Sequence, residues 1–257
     1  MGNKPGIRAG QGRMGRWLLA VWGLIALVLS GPPAMAGGGP QVTAIAAKGG
    51  GWTVLHEYGW WTEASNDYAL LSDGTVMAWG DNYFGQLGDG STTNRSTPVA
   101  VAGLSNVKDI VLGNRYSLAL LNDGTVMSWG SNDFGQLGDG STKNRSTPVV
   151  IAGLSNVKTI AVGFVSSFAL LNDGTVRAWG YNYAGQLGDG STTDRSTPVA
   201  VRGLSNVKVL ASGDYHRFAL LNDGTVMAWG NNDYGQLGNG ITINCSTPVV
   251  VAGLSNV

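Results

Sequence analysis

Downstream of residue 65 the apolar positions come in short runs separated by polar turns, and nowhere in that span do they recur at helical spacing. "SLALL" (117–121) has the length and composition of a strand. "NDG" (122–124) then supplies a tight turn in which Gly124 can take positive φ without steric cost. "TVMSWG" (125–130), rich in β-branched and aromatic residues, returns as the paired strand. A polar, glycine-rich stretch (131–146) predicts a long loop, and "TPVVIAGL" (147–154) and "VKTIAVG" (157–163) predict two further strands. Pro148 has no N–H for a ladder, so it is expected to open its strand at a sheet edge.

This phrase is written four times. Copies start at Leu70, Leu120, Leu170 and Leu220, and 25 of the 39 columns beginning at Ala69, Ala119, Ala169 and Ala219 are identical in all four, which makes a repeat architecture the first conclusion. Four strands per unit and no helix describe an all-β chain, a β-propeller of four-stranded blades that bury their faces against one another. The recurring "ALLNDGTVxxWGxNxxGQLGxG…STPVxVxGLSNV" closely resembles the regulator of chromosome condensation repeat. The DGTV turn, the Trp-Gly and the GQLG are its most specific parts. The likeness covers residues 63–257 in four units of about fifty, 63–112, 113–162, 163–212 and 213–257. One departure stands out. The family's GxxH survives only at Gly213 and His216, where the other copies carry Asn66, Tyr116 and Ser166.

The resemblance implies a seven-bladed ring, which at this period needs about 350 residues. With a leader removed the chain has 221, and its last unit reaches only "GLSNV" (253–257). An incomplete ring is therefore expected. Three explanations fit: a truncated or partial reading frame, an oligomer that closes the ring between chains, or a small or open propeller. Open blade edges offer a route to self-association.

The first forty residues follow other rules. Lys4, Arg8, Arg13 and Arg16 precede the apolar run "WLLAVWGLIALVL" (17–29), and Ala34 and Ala36 frame a small-residue cleavage site. That order predicts a secretory signal peptide over 1–36. The 13 apolar residues fall short of a bilayer span, which takes about 20, and no membrane attachment is expected after cleavage. The expected location is secreted, periplasmic or cell-envelope. Within 37–62, "VTAIAAKGG" (42–50) looks like the "VKTIAVG" strand of a preceding unit. "GWTVLHEYGWW" (51–61) departs from the pattern and is a candidate closing strand for another blade.

Loss of the leader leaves twelve Lys and Arg against sixteen Asp and Glu, a net charge of −4, so a nucleic-acid partner is not expected. The lone Cys245 has no internal disulfide partner and stands where other copies have Arg95, Arg145 and Arg195, as a drifted surface position would. No convergent catalytic set appears: His56 and His216 are the only histidines, neither recurs, and no hydrolase, nucleotide-binding or metalloprotease motif is present. Asp73, Asp123, Asp173 and Asp223 lie in the DG turns, where their side chains serve the turn backbone. Asp89, Ser91 and Asn94 in "GDGSTTN" offer oxygen ligands, yet their order does not fit a calcium loop and turn capping accounts for them. Trp79, Trp129, Trp179 and Trp229 are expected to pack between blades. The chain is thus read as a non-enzyme with neither cofactor nor metal.

What varies between copies is more telling. Substitutions cluster before the "AL" strand, at Arg115, Tyr116, Phe164, Tyr215 and His216. They cluster again after Trp-Gly, at Tyr83, Phe84, Asp133, Phe134, Tyr181, Tyr183, Asp233 and Tyr234. Aromatic, acidic and arginine side chains on loops of a rigid scaffold are what a protein-binding surface uses as anchors. The resemblance implies that these loops crowd one face around a central channel, and that secreted bacterial relatives bind other proteins. The expectation is an exported scaffold that binds a protein partner. Two alternatives are a carbohydrate-binding module of the cell envelope and, by family analogy, a guanine-nucleotide-exchange regulator.

Overall fold

The computed structural model describes residues 39–48, 55–56, 59–60, 65–254 and 257. The expected leader over 1–36, and most of the tryptophan-rich stretch 51–61, lie outside the described residues.

Each DG turn forms as its chemistry predicts. Gly124 takes φ 85°, the Thr125 N–H donates to Asp123 Oδ1 at 2.8 Å, and the Leu121 N–H reaches the Thr125 carbonyl at 2.8 Å. The turn joins the two central strands of a four-stranded antiparallel sheet. The first sheet comprises β1 (Val42–Lys48), then, after a short hairpin of β2 (Leu55–His56) and β3 (Gly59–Trp60), β4 (Asn66–Leu71), β5 (Val76–Gly80) and β6 (Arg95–Ala100). The second holds β7 (Val107–Leu112), β8 (Tyr116–Leu121), β9 (Val126–Gly130) and β10 (Arg145–Val150). The third holds β11 (Val157–Val162), β12 (Ser166–Leu171), β13 (Val176–Gly180) and β14 (Arg195–Ala200). The fourth holds β15 (Val207–Ser212), β16 (His216–Leu221), β17 (Val226–Gly230) and β18 (Cys245–Val250). Every sheet is a simple meander, and β1, β7, β11 and β15 lie side by side on the inside of the arc. These are the blades of a partial propeller.

Three sequence expectations change. The fifty-residue units cut the sheets: "VKTIAV" pairs with the "SSFALL" that follows it, Ile160 opposite Ala169, and so begins a blade instead of ending one. The short connection over 163–165 closes a tight hairpin, whereas 151–156 crosses to the next blade. Val42–Lys48 is accordingly the inner strand of the first blade, with Ile45 opposite Ala69, and not a strand of another blade. Pro148 does lie on an edge strand, but as its fourth residue; the ladder is interrupted between Arg145 and Val149, which removes the need for its missing N–H.

The core lies between blades. At the first junction Tyr68, Leu70, Val76, Leu87, Val101 and Leu104 face Ile110, Leu112, Ala119 and Trp129 of the second blade. Equivalent clusters close the second and third junctions. Burying one such large apolar side chain contributes roughly 1.5–3 kcal/mol, so each junction stabilises two blades at once. Trp129, Trp179 and Trp229 are fully buried there, as expected. Their indole N–H groups donate to the carbonyls of Gln86, Gln136 and Gln186 in the preceding blade at 2.9, 2.9 and 3.0 Å. The GQLG motif supplies the carbonyls that receive them. Gly138 has φ 71°, and a Cβ there would sit 2.7 Å from the Trp179 Nε1.

Candidate functional site

In these meanders the connection between the first two strands and the long loop between the last two leave from the same end of the blade. The two variable segments of every unit therefore meet on one face. A buried asparagine holds the long loop in shape. In the second blade Asn132 Nδ2 donates to Asp139 Oδ1, Ser141 O and Lys143 O at 3.1–3.2 Å. Its Oδ1 accepts from the Leu137 N–H at 3.0 Å. Asn82, Asn182 and Asn232 repeat the arrangement. Asp139 Oδ1 takes the Ser141 N–H and hydroxyl, and Oδ2 takes Arg145, so the carboxylate that resembled a calcium ligand caps its own loop. Burial pushes its pKa up, but the Ser141 and Arg145 donors outweigh that and hold it below the ordinary range.

On that scaffold the rings gather into two clusters. Phe134 of the second blade meets Tyr181 of the third edge-on, with centroids 4.9 Å apart. Tyr181 stacks near-parallel with Tyr183 at 6.5 Å and 16°, and meets Tyr215 of the fourth blade at 6.4 Å. Tyr215 also packs on Phe164 at 5.7 Å. Five aromatic rings from three blades thus form one surface, with Tyr183 76% exposed and Phe134 and Tyr215 just over a third. Partial burial raises the Tyr181 and Tyr215 hydroxyl pKa values, with Asp194 adding to the first and Asp214 to the second. The second cluster is smaller: Tyr83 packs edge-on Phe84 at 5.0 Å, and the Arg115 guanidinium lies 4.9 Å above the Phe84 ring. Arg115 has φ 63°, a left-handed conformation that costs a non-glycine residue about 1 kcal/mol or more.

The remaining expected residues divide. Asp133, Asp233 and Tyr234 are exposed on the same loops, Tyr234 at 93%, outside both ring clusters. His216 is half-buried edge-on to Phe218, and burial lowers its pKa. Tyr116 is a correction: it is fully buried, its hydroxyl donating to the Ser166 carbonyl of the next blade at 2.8 Å, and so it closes a junction instead of facing a partner.

The regulator of chromosome condensation (RCC1) repeat model matches residues 73–120, 123–170, 173–220 and 223–257. The chain belongs to this family. Among solved structures it is similar to human WBSCR16, with 27% identity and a TM-score of 0.63 over 72% of this chain and 50% of that one. It is also similar to Prp20p of Saccharomyces cerevisiae, with 24% identity and a TM-score of 0.64 over 72% of this chain and 48% of that one. The chain spans about half the length of these relatives. The likeness to the yeast protein shows the fold.

Within the RCC1 framework one further residue was not anticipated. Arg217 occupies the position of Ser117 and Ser167, yet it is fully buried at the third junction. Its guanidinium lies 4.4 Å over the Phe168 ring and donates to the carbonyls of Gly213 and His216 and to the Ser166 hydroxyl. Burial lowers its pKa to about 10. The sequence does carry a signal, since an arginine stands where the other copies have Asp67, Ser117 and Ser167, but a charged residue there reads as exposed until the junction is seen to enclose it.

Proposed function

We propose that this RCC1-repeat chain is an exported, non-catalytic scaffold that binds a protein partner through the aromatic face of its second, third and fourth blades. One observation carries the reading: Phe134, Phe164, Tyr181, Tyr183 and Tyr215 come from three blades yet touch in sequence as one surface. Aromatic side chains offer large contact area with few rotatable bonds, which is why they dominate binding energy at protein interfaces. Export rests on the pattern of the first 36 residues. A carbohydrate is the second reading, favoured by the near-parallel Tyr181 and Tyr183 rings.

The test captures partners from cell-envelope and culture extracts with the full chain, then titrates the identified partner. A variant with Phe134, Tyr181, Tyr183 and Tyr215 changed to Ser is compared with a control changed at Tyr83 and Tyr234. The expected result is at least about hundredfold weaker binding for the first, the scale of two lost anchors, and little change for the control. Equal binding by both rejects this face. Release by free oligosaccharide, with no protein captured, establishes the second reading in its place.

A further inference from the structure

One ring of this face already has a cation of its own. At the first junction the inner hairpin of the second blade brings the Arg115 guanidinium over Phe84 of the first blade, 4.9 Å from the ring centre. At the next two junctions the position of Arg115 holds Val165 and Tyr215, and Phe134, Tyr181, Tyr183 and Tyr215 gather there ring on ring. Beside them stands a carboxylate that the loop does not need. Asp194 Oδ1 accepts the N–H of Asn182, the residue between Tyr181 and Tyr183, at 2.7 Å. In the other three blades Asn94, Asn144 and Asn244 accept the equivalent N–H of Asn82, Asn132 and Asn232 at 2.6–2.8 Å with a neutral amide. The charge is thus an addition of the third blade, placed beside its tyrosines. Asp194 is exposed, and its field reaches the Tyr181 hydroxyl. Asp214, exposed as well, acts in the same way on Tyr215. Few cations answer these charges. The long loops 181–194 of the third blade and 231–245 of the fourth contain no lysine or arginine, and 131–144 of the second contains only Lys143. Arg145 and Arg195, which follow these loops, are held by Asp139 and Asp189 at 2.7 and 2.8 Å. Arg217, which interacts with Asp214, is fully buried.

We propose that the aromatic face takes an arginine side chain from a basic segment of its protein partner, the guanidinium stacking on Tyr181 and Tyr183 with Asp194 and Asp214 as counter-charges. The inference rests on that face being the binding face and adds the chemistry it recognises. A cation is drawn to the face of an aromatic ring, and a guanidinium also stacks there through its own plane. Carboxylates around the rings add to that attraction and steer a basic segment onto them. Arginine is preferred to lysine on two grounds: the molecule itself sets Arg115 on Phe84, and the Tyr181 and Tyr183 rings, tilted by only 16°, match a flat group.

The full chain is titrated with the peptide acetyl-Gly-Ser-Gly-Arg-Gly-Ser-Gly-amide and followed through the aromatic signals of its NMR spectrum. The comparison is the same peptide with citrulline, which keeps the shape of arginine and removes its charge. The expected result is a saturable shift of the Tyr181 and Tyr183 ring signals with a dissociation constant of about 1 mM. The citrulline peptide binds at least about tenfold more weakly. Asp194→Asn, which installs the residue that the other three blades carry and so keeps the loop, weakens arginine binding about fivefold. Tyr183→Leu, at an exposed ring, weakens it about tenfold. Asp173→Asn removes a charge from the DG turn at the opposite end of the same blade and leaves binding unchanged. Equal ring shifts with both peptides, or full binding by Asp194→Asn, overturn the proposal and leave the aromatic face as a docking surface that does not select a cation. Absence of any ring shift with either peptide also overturns it, whatever protein the full chain captures.

Discussion

Arg145 donates from Nε and from a second guanidinium nitrogen to the same Asp139 oxygen, at 2.8 and 2.7 Å. The two side chains differ in exposure, 38% for the arginine and 6% for the aspartate. Direct attraction between partly exposed charges is weak. A buried carboxylate stripped of its donor is not, because it loses solvation with nothing in return. Arg145→Cys alone is therefore expected to cost about 1–3 kcal/mol in urea unfolding. Adding Asp139→Asn should recover most of that loss, since it removes the orphaned charge. The fourth blade has already made this double change: Asn239 and Cys245 stand in for the pair, with Asn239 Nδ2 3.5 Å from the sulfur. Read along the chain, Cys245 looks like isolated drift. Its link to Asn239, six residues away, becomes legible only once the loop closes around the buried asparagine. A cycle in which the double variant is no better than Arg145→Cys would show that the coupling is not real.

At the scale of elements, much was legible. The DG turns, the strand runs and the junction role of the tryptophans all follow from local chemistry and from a period of fifty. The grouping of strands was not, because a periodic sequence has no marked beginning; only the hydrogen-bond register of β11 on β12 decides where a blade starts. The aromatic face was half legible: the variable rings could be named from sequence, but Tyr116 could not be told from Tyr215 until one was seen to fill a junction and the other to leave it. The junctions also differ in how well each receiving carbonyl is served. Gln136 O accepts from both Trp179 and the Ser167 hydroxyl, and Gln86 O from both Trp129 and the Tyr68 hydroxyl. Gln186 O takes Trp229, with Arg217 in the serine's place directed elsewhere. Trp229→Phe should thus leave a buried carbonyl unpaired at about 1–3 kcal/mol, while Trp129→Phe and Trp179→Phe cost less. Chemical denaturation of the three variants checks the order, and equal losses would mean that the hydroxyls do not share the load.

Taken whole, the described residues form three junctions of one design with different polar groups sealed inside, so alkali should act on them with opposite signs. Tyr68 lies in the first and Tyr116 in the second, both fully buried, and burial pushes both hydroxyls well above the ordinary tyrosine range. In the unfolded chain they ionise near 10. Above that pH the unfolded state binds fewer protons than the folded one, so the stability each tyrosine contributes is intact below 10 and falls as pH rises past it. Each removes up to about 1.4 kcal/mol per pH unit. Arg217 in the third junction behaves in the reverse sense. Its folded pKa of about 10 lies below its unfolded value, so across that interval the unfolded state binds the extra proton and stability rises with pH. The tyrosines prevail by two to one. Thermal unfolding followed from pH 8 to 11 should therefore show stability falling above 10. Tyr68→Phe and Tyr116→Phe should each flatten that fall, and Arg217→Ser should steepen it. The first substitution places at 68 the ring that the third blade already carries as Phe168, so a new packing defect would not explain the change in slope. An alkaline slope unmoved by either tyrosine substitution would mean that the junctions admit water, and would remove burial between blades as the source of their stability.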